Sequence, residues 1–201
     1  MKTIHVYLLL FVAAGAALFQ SCENDVNTAA ALGAAVNAAP SHEEMVKRGE
    51  YLVNIMVCDD CHSPKALTAE GPVIIDSLRL SGFNPAVRLP KFDPKLTQEQ
   101  HVGLFSADLT SIAGPWGTSF PGNLTPDESG IGNWTEEQFI KCIREGKLKG
   151  LDGSRPLLPP MPWQQYRLAT DDDLKAIFAF LKSLRPVRNI VPQPLPPGVQ
   201  S

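Results

Sequence analysis

The chain has 201 residues, with 18 basic against 21 acidic side chains and a formal net charge of −3. That mild acidity, without any basic run of the kind that tracks phosphate, argues against nucleic acid as a partner. Beyond an N-terminal leader and tether, roughly 160 residues remain, which is within the range of one domain.

Residues 1–21 read as a leader rather than as part of the fold. Lys2 supplies a short positive region and Ile4 to Phe19 an apolar one, and the stretch is short for a membrane span. Leu18-Phe19-Gln20-Ser21-Cys22 resembles a bacterial lipoprotein cleavage box, a small residue before a cysteine at the end of an apolar run. Cys22 is therefore expected to carry lipid, and several acyl chains at about 0.8 kcal/mol per buried CH₂ would make the anchor lasting. Residues 22–40, rich in Ala and Asn with no periodic apolar face, read as the lipidated cysteine and a flexible tether. The domain proper is expected over 41–185.

Ser41-His42-Glu43-Glu44 announces a first helix through a capping box, with Ser41 as cap and Glu44 at N3. The pattern predicts that it runs to about Val57. Gly49 in its interior costs about 1 kcal/mol relative to alanine, and the expected compensation is close approach by another helix. The helix delivers Cys58-Asp59-Asp60-Cys61-His62. C-x-x-C-H is the attachment signature of c-type haem. Two thiols three positions apart can reach the two vinyl groups of a porphyrin, and the histidine that follows can ligate the iron. Other chemistries of C-x-x-C are a thioredoxin-like dithiol, which needs a βαβ frame that the flanks do not show, and a zinc site, which needs a second ligand pair. Cys22 and Cys142 are isolated and do not supply one. Four cysteines in an exported chain normally suggest disulfides; here one is assigned to lipid and two to thioethers, leaving Cys142 as a small buried hydrophobe.

From His62 to Thr135 the pattern is irregular, with recurrent Gly, Pro and Ser, and predicts ordered loops with short helices near 97–104. A second helix is predicted from Thr135, with Gln138 at N3, to Gly146, burying Phe139, Cys142 and Ile143. Leu157-Leu158-Pro159-Pro160-Met161-Pro162-Trp163 follows. Prolines on both sides fix φ and remove N–H donors, so Met161 is presented on a stiff loop where its thioether can be a second axial ligand opposite His62. Met1 departs with the leader, and Met45 and Met56 precede the motif on its histidine side. A third helix is predicted from Thr170 to about Ser183, with Leu174, Ile177, Phe178 and Leu181 on one stripe. Residues 186–201, with five prolines, read as an extended tail.

These features together resemble a class I cytochrome c over about residues 41–192. The resemblance implies an all-α fold, with helices packed around one covalent haem and long ordered loops. Asn123-Leu124-Thr125-Pro126-Asp127, Gly130-Ile131-Gly132-Asn133-Trp134-Thr135 and Pro159-Pro160-Met161-Pro162-Trp163 are similar to segments of the cytochrome c subunits that accept electrons from periplasmic dehydrogenases of alcohols, aldehydes and sugars. Those subunits usually carry two or three such domains, whereas this sequence has one C-x-x-C-H. The resemblance makes Cys58, Cys61, His62, Met161, Trp163 and Tyr166 the haem-binding residues, with His62 and Met161 on the iron. The long loops also hold Trp116, Phe120 and Trp134, which either wall the haem against water or fill the core. Arg155 either pairs with a propionate or is solvated.

The expected function is single-electron transfer, without catalysis by the chain itself, on the periplasmic face of a membrane. The donor would be a dehydrogenase or a quinol-oxidising complex, and the electron would pass to a terminal acceptor. The competing readings are a haem enzyme of peroxidase type, with His101 serving an open sixth position, and a gas or redox sensor. Both want a displaceable sixth ligand, which the proline-flanked Met161 argues against.

Overall fold

Two long helices cross at the centre of the computed structural model, which describes residues 39–199. The leader, Cys22 and all but the last residues of the tether lie outside the described residues. Helix α1 spans His42–Ile55 and the last helix, α5, spans Asp171–Ser183. A Cβ on Gly49 would lie 2.0 Å from the Ala176 carbonyl oxygen and 2.7 Å from Phe180 Cβ. The glycine thus pays for its poor helix propensity by letting the two backbones touch. Arg48 on α1 bonds Asp173 on α5 at 2.9 Å. Thr170 caps α5 by accepting from Asp173 N at 3.1 Å. The predicted stripe of Leu174, Ile177, Phe178 and Leu181 is buried, together with Ala176 and Phe180.

The second predicted helix is α3, Glu136–Glu145, with a complete Thr135–Gln138 capping box and Gly146 left-handed at φ 65° behind it. Phe139, Cys142 and Ile143 face inward, and the Phe139 and Phe178 rings lie 5.4 Å apart. A single turn, α4, Trp163–Tyr166, precedes α5. The core built from α1, α3 and α5 also receives Leu80 and Ile131 from loops.

The expected all-α fold is corrected by two antiparallel sheets, and the described residues are mixed, with 36% helix and 12% strand. Strands β1, Lys65–Thr68, and β2, Gly71–Ile74, form a hairpin directly after the C-x-x-C-H segment. Strands β3, Leu104–Phe105, β4, Ile112–Gly114, and β5, Gly117–Ser119, form a three-stranded sheet in sequence order. Each strand is four residues or shorter, too brief for an alternating pattern to rise above the Gly, Pro and Ser of the surrounding loops. Near the expected short helices lies one turn of π-helix at Lys95–Glu99.

Beyond α5 the chain is extended and doubles back. Val187 N donates to Thr125 Oγ1 at 3.0 Å. The Asn189 side chain donates to the Ser81 and Phe83 carbonyls at 2.7 and 2.8 Å, and Leu195 pairs with Thr118. This return satisfies the buried Asn123 and Thr125, whose side chains meet the Val187 carbonyl.

Candidate functional site

Helix α1 stops because Val57 turns left-handed, φ 51° and ψ 34°, a conformation that costs a β-branched residue roughly 1–2 kcal/mol. The break lets a separate five-residue helix, α2, begin at Cys58 and end at His62. Three residues apart on that turn, Cys58 and Cys61 are near neighbours on its surface. Both are half-buried and unpaired. Burial, reinforced by the Asp59 charge, pushes the Cys58 thiol up to about 12. Burial also raises the Cys61 thiol, with Asp60 second. Two thiols protonated at neutral pH are the opposite of a dithiol redox centre, which needs an accessible thiolate. Among the described residues no group of three or more His, Cys, Asp or Glu could hold a metal ion by itself.

His62 Nδ1 lies 2.8 Å from the Gly122 carbonyl oxygen. A carbonyl can only accept, so Nδ1 carries the proton and Nε2 keeps its lone pair for a ligand. Burial lowers the His62 pKa, against the opposing pull of Gly122, which keeps the imidazole neutral. The Gly122 carbonyl is itself held in place. Gly82 N donates to the His62 carbonyl at 2.7 Å, Phe83 N to Pro121 O at 3.0 Å, and Leu124 N to Leu80 O at 2.9 Å. The tail residue Asn189 fastens the Ser81–Phe83 strip from behind.

Met161 sits on a segment tied at several points. Leu157 N donates to Gly146 O at 2.6 Å, and Ser119 Oγ donates to Pro159 O at 2.7 Å. The Trp163 indole lies flat on Gly146, where a Cβ would come within 2.4 Å of the ring. Tyr166 donates its hydroxyl to the Met56 carbonyl at the end of α1. Burial, then the charges of Cys58, Cys61 and Asp60, raise the Tyr166 hydroxyl to about 12. Met161, Tyr166, Cys58, Met56 and Trp134 all pack half-buried against one apolar cluster.

The structure thus puts Cys58, Cys61 and His62 on one turn, and Cys58, Tyr166 and Met161 pack against one apolar cluster. The other sequence candidates are elsewhere. His101 is exposed in a left-handed turn. Trp116 folds onto Gly114 at the β4–β5 turn. Phe120 packs against Phe83, with ring centroids 4.8 Å apart and planes tilted by 40°. Arg155 donates to the Pro156 carbonyl at 2.9 Å, and burial lowers its pKa.

Sequence reasoning missed the groups behind the motif. Lys65 Nζ reaches the carbonyls of Asp59, Asp60, Ser63 and Asp108 at 2.6–3.2 Å, a cation at the C-terminal end of α2 where the helix dipole favours one. Gly122 contributes only its backbone and so leaves no side-chain signal. Free protonated thiols on one turn, an imidazole with Nε2 open, and a thioether held on a braced loop fit a covalent haem.

Scanned against models of known protein families, the chain matches none. Curated relatives are nevertheless clear. It is 32% identical over 155 residues to the cytochrome c subunit of the alcohol dehydrogenase (quinone) of Gluconobacter oxydans, covering 76% of this chain and 24% of that one. It is 31% identical over 149 residues to the gluconate 2-dehydrogenase cytochrome c subunit of Pantoea cypripedii, covering 73% and 25%. It is 39% identical over 151 residues to the fructose dehydrogenase cytochrome subunit of Gluconobacter japonicus, covering 74% and 23%. The chain spans about a quarter of the length of these relatives.

Proposed function

We infer that this chain, a homologue of dehydrogenase cytochrome c subunits, is an electron-transfer cytochrome carrying one c-type haem. Thioether bonds at Cys58 and Cys61 hold the group, and His62 and Met161 ligate its iron. The bound haem supplies one-electron exchange at iron. The residues of the chain supply the rest. Gly122 fixes the tautomer and plane of His62. The bonds at Gly146 and Ser119 brace the Met161 loop, Trp163 packs on Gly146, and Tyr166 ties the following turn to the Met56 carbonyl just before the motif. The observation that carries this reading is the 2.8 Å contact from His62 Nδ1 to Gly122 O beside two free thiols.

The relatives' names supply the electron source, so the proposed donor is a dehydrogenase. A quinol-oxidising complex remains the second donor class, with a downstream acceptor beyond either. The chain would serve as an electron-transfer subunit rather than as the catalyst, exported and held at a membrane face by lipid on Cys22. Among the described residues no helix is long and apolar enough to cross a membrane, and the lipid is proposed on the leader sequence alone.

The test is to express the full chain with c-type haem assembly and extract it with acidified acetone. Haem that stays on the polypeptide, and is lost from a Cys58→Ser/Cys61→Ser variant, supports the assignment. Haem that extracts freely from the unaltered chain refutes it.

A further inference from the structure

Between the two thiols lies a carboxylate that the attachment chemistry does not require. Asp59 is only 9% exposed. Ser63 Oγ donates to it at 2.5 Å. Arg79 Nη2 donates to Oδ2 at 2.9 Å, and Arg79 Nε lies 3.2 Å from both oxygens. The same guanidinium donates to Asn54 Oδ1 at 2.9 Å, approaches Glu50 at 3.6 Å, and lies 5.6 Å over the Phe180 ring. Ser63 Oγ accepts in turn from Leu80 N at 2.8 Å. Arg79 is therefore the junction at which α2 meets both crossing helices, and it meets α2 at a charged residue next to Cys58.

We propose that Asp59 and Arg79 form a charge pair that positions the C-x-x-C-H turn and, by mutual cancellation, keeps either charge from displacing the reduction potential of the iron held at His62. The proposal rests on the haem reading above. A negative charge close to the iron favours the ferric state, which carries one more positive charge, and so lowers the potential; a positive charge raises it. The Asp59 side chain is 13% exposed and that of Arg79 28%, so solvent and salt screen them weakly. Paired, the two nearly cancel. Unpaired, each should act on the iron with its own sign.

That opposition of sign separates an electrostatic role from a packing one, because a loosened turn has no reason to move the potential up in one variant and down in the other. The experiment is a spectroelectrochemical titration of the full, haem-loaded protein and its Arg79→Gln, Asp59→Asn, double and Arg79→Lys variants. Lys47→Gln serves as control, removing one side of an exposed pair whose side chains are 73% and 77% accessible. Arg79→Gln should lower the potential and Asp59→Asn raise it. The double variant should return close to the parent, and Arg79→Lys should stay near it.

Single variants that move in the same direction, or no further than Lys47→Gln, overturn the proposal. If Arg79→Gln does not accumulate as red protein, Asp59→Asn must still rise while Arg79→Lys stays in place, and any other pattern overturns it. A parent chain without covalent haem would instead remove the haem reading, so the two failures are distinguishable.

Discussion

His62 and Gly122 stand 60 residues apart in sequence and share one hydrogen bond of 2.8 Å. The bond depends on backbone at one end, so it is reached through what supports that backbone. Gly82 sits at φ +81°, and a Cβ there would lie 2.6 Å from Gly122 C and from the Pro121 oxygen. Gly122 itself has open space where a Cβ would go. Gly82→Ala should therefore push the Gly122 carbonyl off the imidazole, while Gly122→Ala leaves it in place. The first should cost about 1–3 kcal/mol in urea melts, as overpacking does. It should also raise the potential of the haem-loaded protein, since the bond makes the imidazole a stronger donor. The second should leave both unchanged.

Gly49→Ala tests the helix crossing. Its Cβ meets backbone at 2.0 Å, which cannot rotate aside as a side chain could. A loss of about 3 kcal/mol is expected, the upper end for inserted methyl groups, measured as a drop in the urea midpoint. A loss within a few tenths would mean that α1 and α5 pack more loosely than described.

Met161→Ala should abolish the weak long-wavelength absorption of methionine on ferric haem and lower the potential, because a thioether opposite histidine favours the reduced state. Trp163→Ala should leave the ligand in place but make it easier to displace, since the indole that lies on Gly146 is lost. Cyanide binding to the ferric protein reads this as a faster rate. An unchanged spectrum in Met161→Ala would assign the sixth ligand elsewhere.

Tyr166 gives the chain a pH dependence. Burial, followed by the charges at Cys58, Cys61 and Asp60, raises its hydroxyl from 10.0 to about 12. A folded-state pKa above the unfolded one means that the folded chain holds the proton more tightly. The contribution is complete below pH 10 and is lost as pH rises from 10 to about 12. Urea midpoints across that window should fall for the parent chain and less steeply for Tyr166→Phe. In the thioether-linked form the thiol charges are gone, so the slope keeps its sign and becomes smaller.

The parts of this protein that are legible in its sequence are those encoded by side chains at fixed spacings. Thr135 and Gln138 close their capping box as the S/T-x-x-E/Q rule requires, and Thr170 begins α5. Gly49 lies under a second helix for the reason its poor propensity suggests. The thiols and His62 occupy one turn because three-residue spacing does that on a helix. What the sequence hides is carried by backbone or by distant pairing. The partner of His62 is a carbonyl, and any residue has one. Arg79 lies 20 residues beyond Asp59 in an irregular segment with no period to mark it. The strands from Lys65 to Ser119 are held by register and turn geometry, as at Gly71 and Gly117 with φ +119° and +97°. Strands that short carry no hydrophobic alternation to be read.

The crossing of α1 and α5 also has a consequence in time. Arg48 and Asp173, which meet across it, stand 125 positions apart in the chain. At roughly 5–20 residues per second, synthesis needs on the order of ten seconds to produce the second partner after the first. Through most of that interval Cys58 and Cys61 have been made, but α5, on which α1 closes, does not yet exist. The thiols are most accessible while the domain is unfinished, and closing the crossing ends that access. Chemistry at the pair thus runs against a clock set by the position of α5 in the chain. Stabilising the closed form, however useful for a finished protein, would not lengthen the time in which it can be made.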